Sequence, residues 1–136
     1  MCLEILKKFK PPVYGYKIFQ VEENGKLYNI HAGNGKSYEI GKILDEKSYR
    51  NSYALSEKYL TDYDGEKYQI GFHIYQTKQA AKAKCDYMTY RNWKVYKVEI
   101  IEPLATGQEY GNDCKYKNVI VSKKMRIIEK VWQYID

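Results

Sequence analysis

One stretch near the middle of the chain constrains its fold most, because it reads as a strand, a capped helix and a second strand in succession. Residues 68–75 (YQIGFHIY) and 93–102 (WKVYKVEIIE) are rich in the aromatic and β-branched residues typical of strands. Between them, Thr77 is a suitable N-cap for a helix from Lys78 to about Tyr90. The residues at spacings that can form one broad face of this helix are Ala80, Ala81, Lys84, Cys85, Tyr87 and Met88. This order predicts a sheet with one helix packed on it.

Shorter strand-like runs lie on both sides of this unit. Residues 14–21 (YGYKIFQV) predict a strand, and Asn24-Gly25 predicts a hairpin turn that leads into a return strand at residues 27–31. The other segments are interpreted as strands at residues 37–44, 117–122 and 125–135, a loop with a short helix at 45–60, a turn at 62–65, and a polar loop at 107–113.

Length and composition fit a single folded domain. The chain has 136 residues, of which 44% are hydrophobic and 29% are charged, as in ordinary globular proteins. Strands outnumber helices, so we expect an α+β fold, a mainly antiparallel sheet with one principal helix. The Pro11-Pro12 pair ends an N-terminal arm. The predicted organisation is therefore an arm at residues 1–12 and one compact domain at residues 13–136.

Several classes of protein are disfavoured by what the sequence lacks. No apolar run approaches the roughly 18 residues of a membrane helix, and residues 1–10 lack the apolar stretch of a secretory signal. Cys2, Cys85 and Cys114 are widely spaced, and with His31 and His73 they give no zinc-binding pattern. We expect a soluble protein of a reducing cytoplasm, with no membrane association, no metal and no cofactor.

The charge and the aromatic content allow two explanations. The chain has a formal charge of +6, only three arginines and 16 tyrosines. On the first explanation, part of the bias reflects codon composition, because an AT-rich genome encodes many Lys and Tyr codons. Alternatively, lysines attract phosphate groups and tyrosine rings stack on bases. Because arginines are few and the lysines are dispersed, we predict no tight, sequence-specific binding to duplex DNA.

Catalytic motifs are weak in this sequence. There is no GxSxG elbow and no phosphate-binding GxxxxGK[ST] loop. Asp62 and Asp64 are ordinary turn formers, and Glu99 and Glu102 fall on opposite faces of a strand. No catalytic residue is predicted, and a binding protein is favoured over an enzyme.

A candidate binding site is predicted where the strand at residues 68–75 leads into the helix. His73 and Tyr75 share a strand face there, next to the positive end of the helix. The predicted ligand-binding residues, which together offer rings, donors and cations, are Tyr16, Lys17, Lys42, His73, Tyr75 and Lys123. A structural role for His73, as a core or edge residue bonded to backbone, is the competing interpretation.

The order of the short motifs resembles a group of small uncharacterised bacteriophage and prophage proteins. The shared elements are Met1-Cys2-Leu3, a proline-containing arm, Tyr16-Lys17, Tyr38-x-x-Gly41-Lys42, Gly71-Phe72-His73, Ala80 or Ala81, and the strands at residues 95–100 and 122–127. The chain departs from the group in a longer segment at residues 102–107 and an extended region at residues 45–66. The resemblance implies a phage origin and the cytoplasm of a bacterial host.

Two classes of function follow from these features. The first is a phage accessory protein that binds a small anionic, nucleotide-like ligand as a counter-defence sponge for a second messenger, or that inhibits a host defence protein. The second is an enzyme similar to ADP-ribosyltransferases, suggested by the Tyr/His/Lys cluster and a late loop with Glu109. That family's Glu-x-Glu motif is missing, so binding is favoured. Assembly as a homo-oligomer is left open.

Overall fold

The structure, a computed structural model, describes residues 3–30, 35–49, 59–62, 64–111 and 113–134. Within these ranges the chain forms strands, one short 3-10 helix and one α-helix. In chain order they are β1 (Ile5–Leu6), β2 (Tyr14–Val21), β3 (Leu27–Asn29), β4 (Ile43–Asp45), the 3-10 helix (Glu46–Tyr49), β5 (Tyr59–Thr61), β6 (Lys67–Gln69), β7 (Phe72–Tyr75), α1 (Lys78–Met88), β8 (Trp93–Ile100), β9 (Pro103–Tyr110), β10 (Tyr116–Ser122) and β11 (Lys124–Trp132).

The main sheet is antiparallel and has nine strands. Its order is β1-β9-β10-β7-β2-β8-β11-β4, and β3 also pairs with β2. Strands β5 and β6 form a separate hairpin. β7 and β2 join the two halves of the sheet through one register pair, Tyr16 opposite Tyr75. Among the described strand pairs of this sheet, β2 and β7 therefore share the fewest paired residues, and this junction lies at the centre of the predicted site.

Two tight corners carry the chain from one half of the sheet to the other. β8 leads into β9 through Ile101 and Glu102, and β10 leads into β11 through Lys123. The corners lie against each other, since the Lys123 N–H donates to the Glu102 carbonyl at 2.8 Å. Ser122, fully buried, donates its hydroxyl to the Lys124 carbonyl at 2.7 Å and accepts from the Glu102 N–H at 3.3 Å. These bonds satisfy polar backbone groups where regular pairing stops.

Each face of the sheet has its own core, because side chains alternate along a strand. One face buries large residues such as Phe19, Ile74 and Ile120. The other face buries Ile18, Val95 and Val119 beneath α1, which contributes Ala80, Ala81 and Cys85. Fully burying each large aliphatic or aromatic side chain contributes roughly 1.5–3 kcal/mol. The small residues of α1 let the helix lie close to the sheet.

The predicted mainly antiparallel sheet with one principal helix is confirmed within the described residues. Strand β2 has the expected bounds, and β8 begins at Trp93 as expected. Helix α1 begins at Lys78, where the Thr77 hydroxyl accepts a hydrogen bond from the Ala80 N–H at 3.2 Å. It ends two residues earlier than predicted, at Met88, because Thr89 adopts a left-handed conformation with φ of 56°.

Three local predictions are wrong. Residues 68–75 are two strands, β6 and β7, that belong to different sheets. Gly71 lies between them, and a Cβ at this position would lie 2.6 Å from the Ser122 carbonyl oxygen, so the chain turns through a space too tight for a side chain. Residues 107–110 belong to strand β9 rather than to a loop. Residues 37–42 are largely irregular, and the strand there is β4, at Ile43–Asp45. Residue 31 of the predicted return strand and residues 50–58 of the predicted loop with a short helix lie outside the described residues.

The described part of the N-terminal arm packs against the domain. Ile5 and Leu6 pair with Gln108 and Gly107 at the edge of the main sheet, and Leu3 is only 1% exposed. In the part of the chain that the structure describes, no helix has the length and apolar character needed to cross a membrane.

Candidate functional site

The strand pairing brings four of the predicted site residues together. Tyr16 and Tyr75 lie opposite each other on β2 and β7. His73 lies two residues before Tyr75 on the same face, with its ring centroid 6.4 Å from that of Tyr68. Lys17 reaches the same strand from its neighbour, because its Nζ donates to the His73 carbonyl at 2.9 Å.

Lys17 occupies the gap where β2 and β7 separate. Beyond Tyr16 the two strands no longer pair, since Phe19 to Val21 pair with β3 instead. The ammonium of Lys17 thus donates to the His73 carbonyl where the two strands separate. Burial lowers the pKa of Lys17 from its ordinary 10.5 to about 8, although the negative charges of Glu109 and Glu46 act in the opposite direction. Lys17 is half-buried and binds the fold's own backbone, so it does not belong to an open anion site.

Tyr75 is held by a carboxylate that the sequence did not single out as a site residue. Its hydroxyl donates to the two carboxylate oxygens of Glu109, at 3.2 and 3.3 Å. Glu109 is 9% exposed and also lies 3.4 Å from Nζ of Lys84. Burial and the Glu109 charge raise the pKa of Tyr75 far above its usual range, so the phenol stays protonated. Glu109 lies on β9 and not in a loop, which corrects the prediction made for it.

The two remaining predicted residues face solvent elsewhere. Lys42 forms an ion pair with Glu39 at 2.6 Å, and about two thirds of each side chain is exposed. It precedes β4, which is four strand positions from β7 in the sheet. Lys123 is exposed at the corner between β10 and β11, where its carbonyl accepts from the Glu46 N–H at 2.9 Å. Neither side chain has a described contact with the Tyr16–Tyr75 pair.

A wide groove lies between the N-terminal arm and the β5–β6 hairpin. Its volume is about 670 Å³, within the range of sites that hold small molecules and cofactors. Residues 6–9 and Pro11 form one wall, and Tyr59, Lys67 and Gln69 belong to the hairpin on the other side. The start of β9, at residues 103–106, also lines it. We name this feature the arm groove.

Side chains from the hairpin and from β9 hold the arm in place. The Leu6 N–H donates to Oδ2 of Asp62 at 3.1 Å, and the Leu3 N–H donates to the hydroxyl oxygen of Tyr68 at 2.6 Å. On the β9 side, the Phe9 N–H donates to Oγ1 of Thr106 at 3.2 Å. Burial disfavours the charge of Asp62, but backbone donors including Leu6 and Glu66 outweigh it and lower the pKa of Asp62. The groove therefore has walls fixed by directional bonds.

The arm groove carries an excess of positive charge. Lys7 and Lys8 lie on the arm and Lys67 on the hairpin, against one carboxylate, that of Glu66. These three lysines are exposed, and within the described residues none of them forms an ion pair. Rings are also present, since Phe9 is partly buried in the groove and Tyr59 is 54% exposed. Cations beside an exposed ring suit an anionic ligand that has a flat ring.

The sequence analysis assigned no site to the arm lysines. The available signal was the alternation of lysines with apolar residues next to two prolines, at residues 7–12. This signal could not show the opposite wall of the groove, because the hairpin begins at Tyr59, far along the chain from the arm.

No described group of three or more His, Cys, Asp or Glu residues is arranged to hold a metal ion. Comparisons with protein-family models, with curated proteins and with solved structures find no significant match for this chain.

Proposed function

We propose that the chain binds a small anionic, nucleotide-like ligand, and that the arm groove is where it binds. The observation that carries this proposal is that three lysines without an ion pair among the described residues lie beside the exposed ring of Tyr59, in a space of about 670 Å³. Ammonium groups attract phosphates, and base–aromatic stacking contributes about 1–3 kcal/mol per base. In this arrangement Lys7, Lys8 and Lys67 hold the phosphates, and Tyr59 offers a face to the base.

The cluster around Tyr75 supports this role less well than the arm groove does. Its lysines lie beside carboxylates or carbonyls, as Lys84 does beside Glu109 and Lys17 beside the His73 carbonyl. An incoming phosphate would meet the negative charge of Glu109 there. The four residues brought together by the strand pairing thus shape the sheet, and the proposed ligand lies in the arm groove.

Calorimetric titration with ADP, cyclic dinucleotides and pyrophosphate tests the proposal. A nucleotide should bind more tightly than pyrophosphate, because only the nucleotide has a base to stack. Lys8→Met should weaken binding roughly tenfold, the lower end for loss of a charged hydrogen bond. Lys10→Met is the matched control, since Lys10 is an exposed arm lysine that does not line the groove. Equal effects of the two variants, or no saturable binding by any probe, would contradict the proposal.

The stacking role has its own test. Tyr59→Ala should weaken nucleotide binding and leave pyrophosphate binding unchanged, because pyrophosphate has no ring. Tyr87→Ala is the control, since Tyr87 is 63% exposed on α1 and does not line the groove. If Tyr59→Ala weakens both ligands equally, Tyr59 does not stack on a base.

The biological role that we propose is sequestration of such a ligand by a phage accessory protein in the host cytoplasm. A sponge releases its ligand unchanged, whereas an enzyme releases a product. Chromatography of the bound nucleotide after prolonged incubation and denaturation separates the two. Recovery of intact nucleotide supports sequestration, and appearance of a cleaved or transferred product contradicts it.

A further inference from the structure

A second and smaller cavity lies on the helix side of β9, apart from the arm groove. Its volume is about 140 Å³, room for a molecule of roughly five to ten heavy atoms. Tyr75, Lys84, Glu109, Asp113 and Lys117 line it. The small side chain of Ala83 on α1 also lines the cavity and leaves this space open.

Charges of both signs line this cavity. Lys117 forms an ion pair with Asp113 at 2.6 Å, and Lys84 lies 3.4 Å from Glu109. The side chains of Lys84 and Glu109 are 19% and 12% exposed, so both charges are largely removed from water. A purely anionic ligand would be repelled by the two carboxylates, and a purely cationic one by the two lysines. A ligand that carries both charges matches the lining.

The contacts that Glu109 and Lys84 make are long for largely buried charged groups. The contacts of Glu109 measure 3.2 and 3.3 Å to the Tyr75 hydroxyl and 3.4 Å to Nζ of Lys84. Charge-assisted hydrogen bonds between ammonium and carboxylate groups are usually 2.7–2.9 Å long. Removing charges from water is costly unless close hydrogen bonds compensate. Both groups can therefore gain from a ligand that brings a closer partner to each of them.

We propose that this cavity binds a small zwitterion of the α-amino acid type. The ammonium of the ligand donates to the carboxylate of Glu109, and its carboxylate accepts from Nζ of Lys84. The hydroxyl of Tyr75 remains on Glu109 and fixes the orientation of that carboxylate. This proposal is independent of nucleotide binding in the arm groove, because no residue lines both spaces.

Calorimetric titration at pH 7 with L-alanine, methylamine and acetate tests the charge pattern. L-Alanine should bind at least tenfold more tightly than either single-charge probe, because it alone makes both charged contacts. Binding of acetate or methylamine as tight as that of L-alanine would overturn the proposal. Absence of saturable L-alanine binding at millimolar concentrations would also overturn it.

Single substitutions test whether L-alanine binds in this cavity. Lys84→Met should weaken L-alanine binding at least tenfold and leave ADP binding unchanged. Lys82→Met is the matched control, because Lys82 lies on the same helix but faces the Trp132 ring at 5.9 Å. Glu109→Gln keeps the shape of the side chain and should also weaken L-alanine binding at least tenfold. If this variant does not fold, the comparison of L-alanine binding by Lys84→Met and Lys82→Met tests the assignment. Equal binding by those two variants would place the ligand elsewhere and refute the assignment.

Discussion

Replacing Lys17 with Met should change how the free energy of unfolding depends on pH. Burial lowers the pKa of Lys17 to about 8 in the folded chain, against 10.5 for an ordinary lysine. Between these values the unfolded chain binds more protons than the folded chain does, so stability rises with pH through this window. Below pH 8 both states are protonated, and the full cost of burying the charge is present.

The magnitude follows from the difference in pKa. Each unit corresponds to 1.36 kcal/mol, so the buried charge costs up to about 3 kcal/mol at neutral pH. Roughly 2 kcal/mol of this should be recovered between pH 7 and pH 10. Lys17→Met cannot titrate and should lack this rise. Tyr38 and Tyr75 have raised pKa values when folded, so their ionisation destabilises both proteins as the pH rises past 10.

Urea denaturation of wild type and Lys17→Met from pH 7 to pH 10 measures the effect. The difference in unfolding free energy between the two proteins isolates Lys17, because the tyrosines contribute to both. Lys26→Met, at an exposed turn position, serves as the control. If the difference in unfolding free energy between wild type and Lys17→Met stays constant from pH 7 to pH 10, the lowered pKa of Lys17 in the folded chain is refuted.

Two further substitutions test the helix start and the arm. Thr77→Ala removes the acceptor for the Ala80 N–H and should lower the free energy of unfolding, measured by urea denaturation, by about 1 kcal/mol. Thr77→Ser keeps a hydroxyl and should be nearly neutral. Equal stability of both variants and wild type would contradict the role of Thr77 as the N-cap. Gly107→Ala would place a Cβ 2.4 Å from the Ile5 carbonyl oxygen, so β1 should separate from β9. Hydrogen exchange should then accelerate at the Glu4 and Lys7 amides, which donate to β9, and unchanged protection there would show that the strands adapt.

Local sequence patterns predicted the elements whose structure is decided locally. Strand β2 and helix α1 have strong propensities, and Thr77 marks the helix start. The sequence patterns do not predict strand β9, because Pro103, Gly107 and the polar residues of this segment are typical of a loop. Proline is accepted at the first residue of a strand, and Gly107 is required because β1 lies close to it. The reason for Gly107 depends on a neighbour that is distant in sequence, namely Ile5.

The sequence predicts only the part of the site that depends on locally recognisable strands. The proximity of Tyr16, Lys17, His73 and Tyr75 follows from pairing of two recognisable strands. Glu109 lies 25 residues from Lys84 and 34 from Tyr75, and nothing in a local pattern joins them. The arm groove combines segments from three parts of the chain, so its excess of lysines becomes visible only in the folded structure.

The position of the bound nucleotide tests the central proposal most directly. Titration of ¹⁵N-labelled protein with ADP, followed by amide chemical shifts, distinguishes the two parts of the molecule. Our account predicts saturable shifts at Lys8, Phe9, Lys67 and Thr106, which line the arm groove. Shifts that cluster instead at Tyr75, Ala80 and Lys84 would contradict it, because they would place the nucleotide at the helix side of β9.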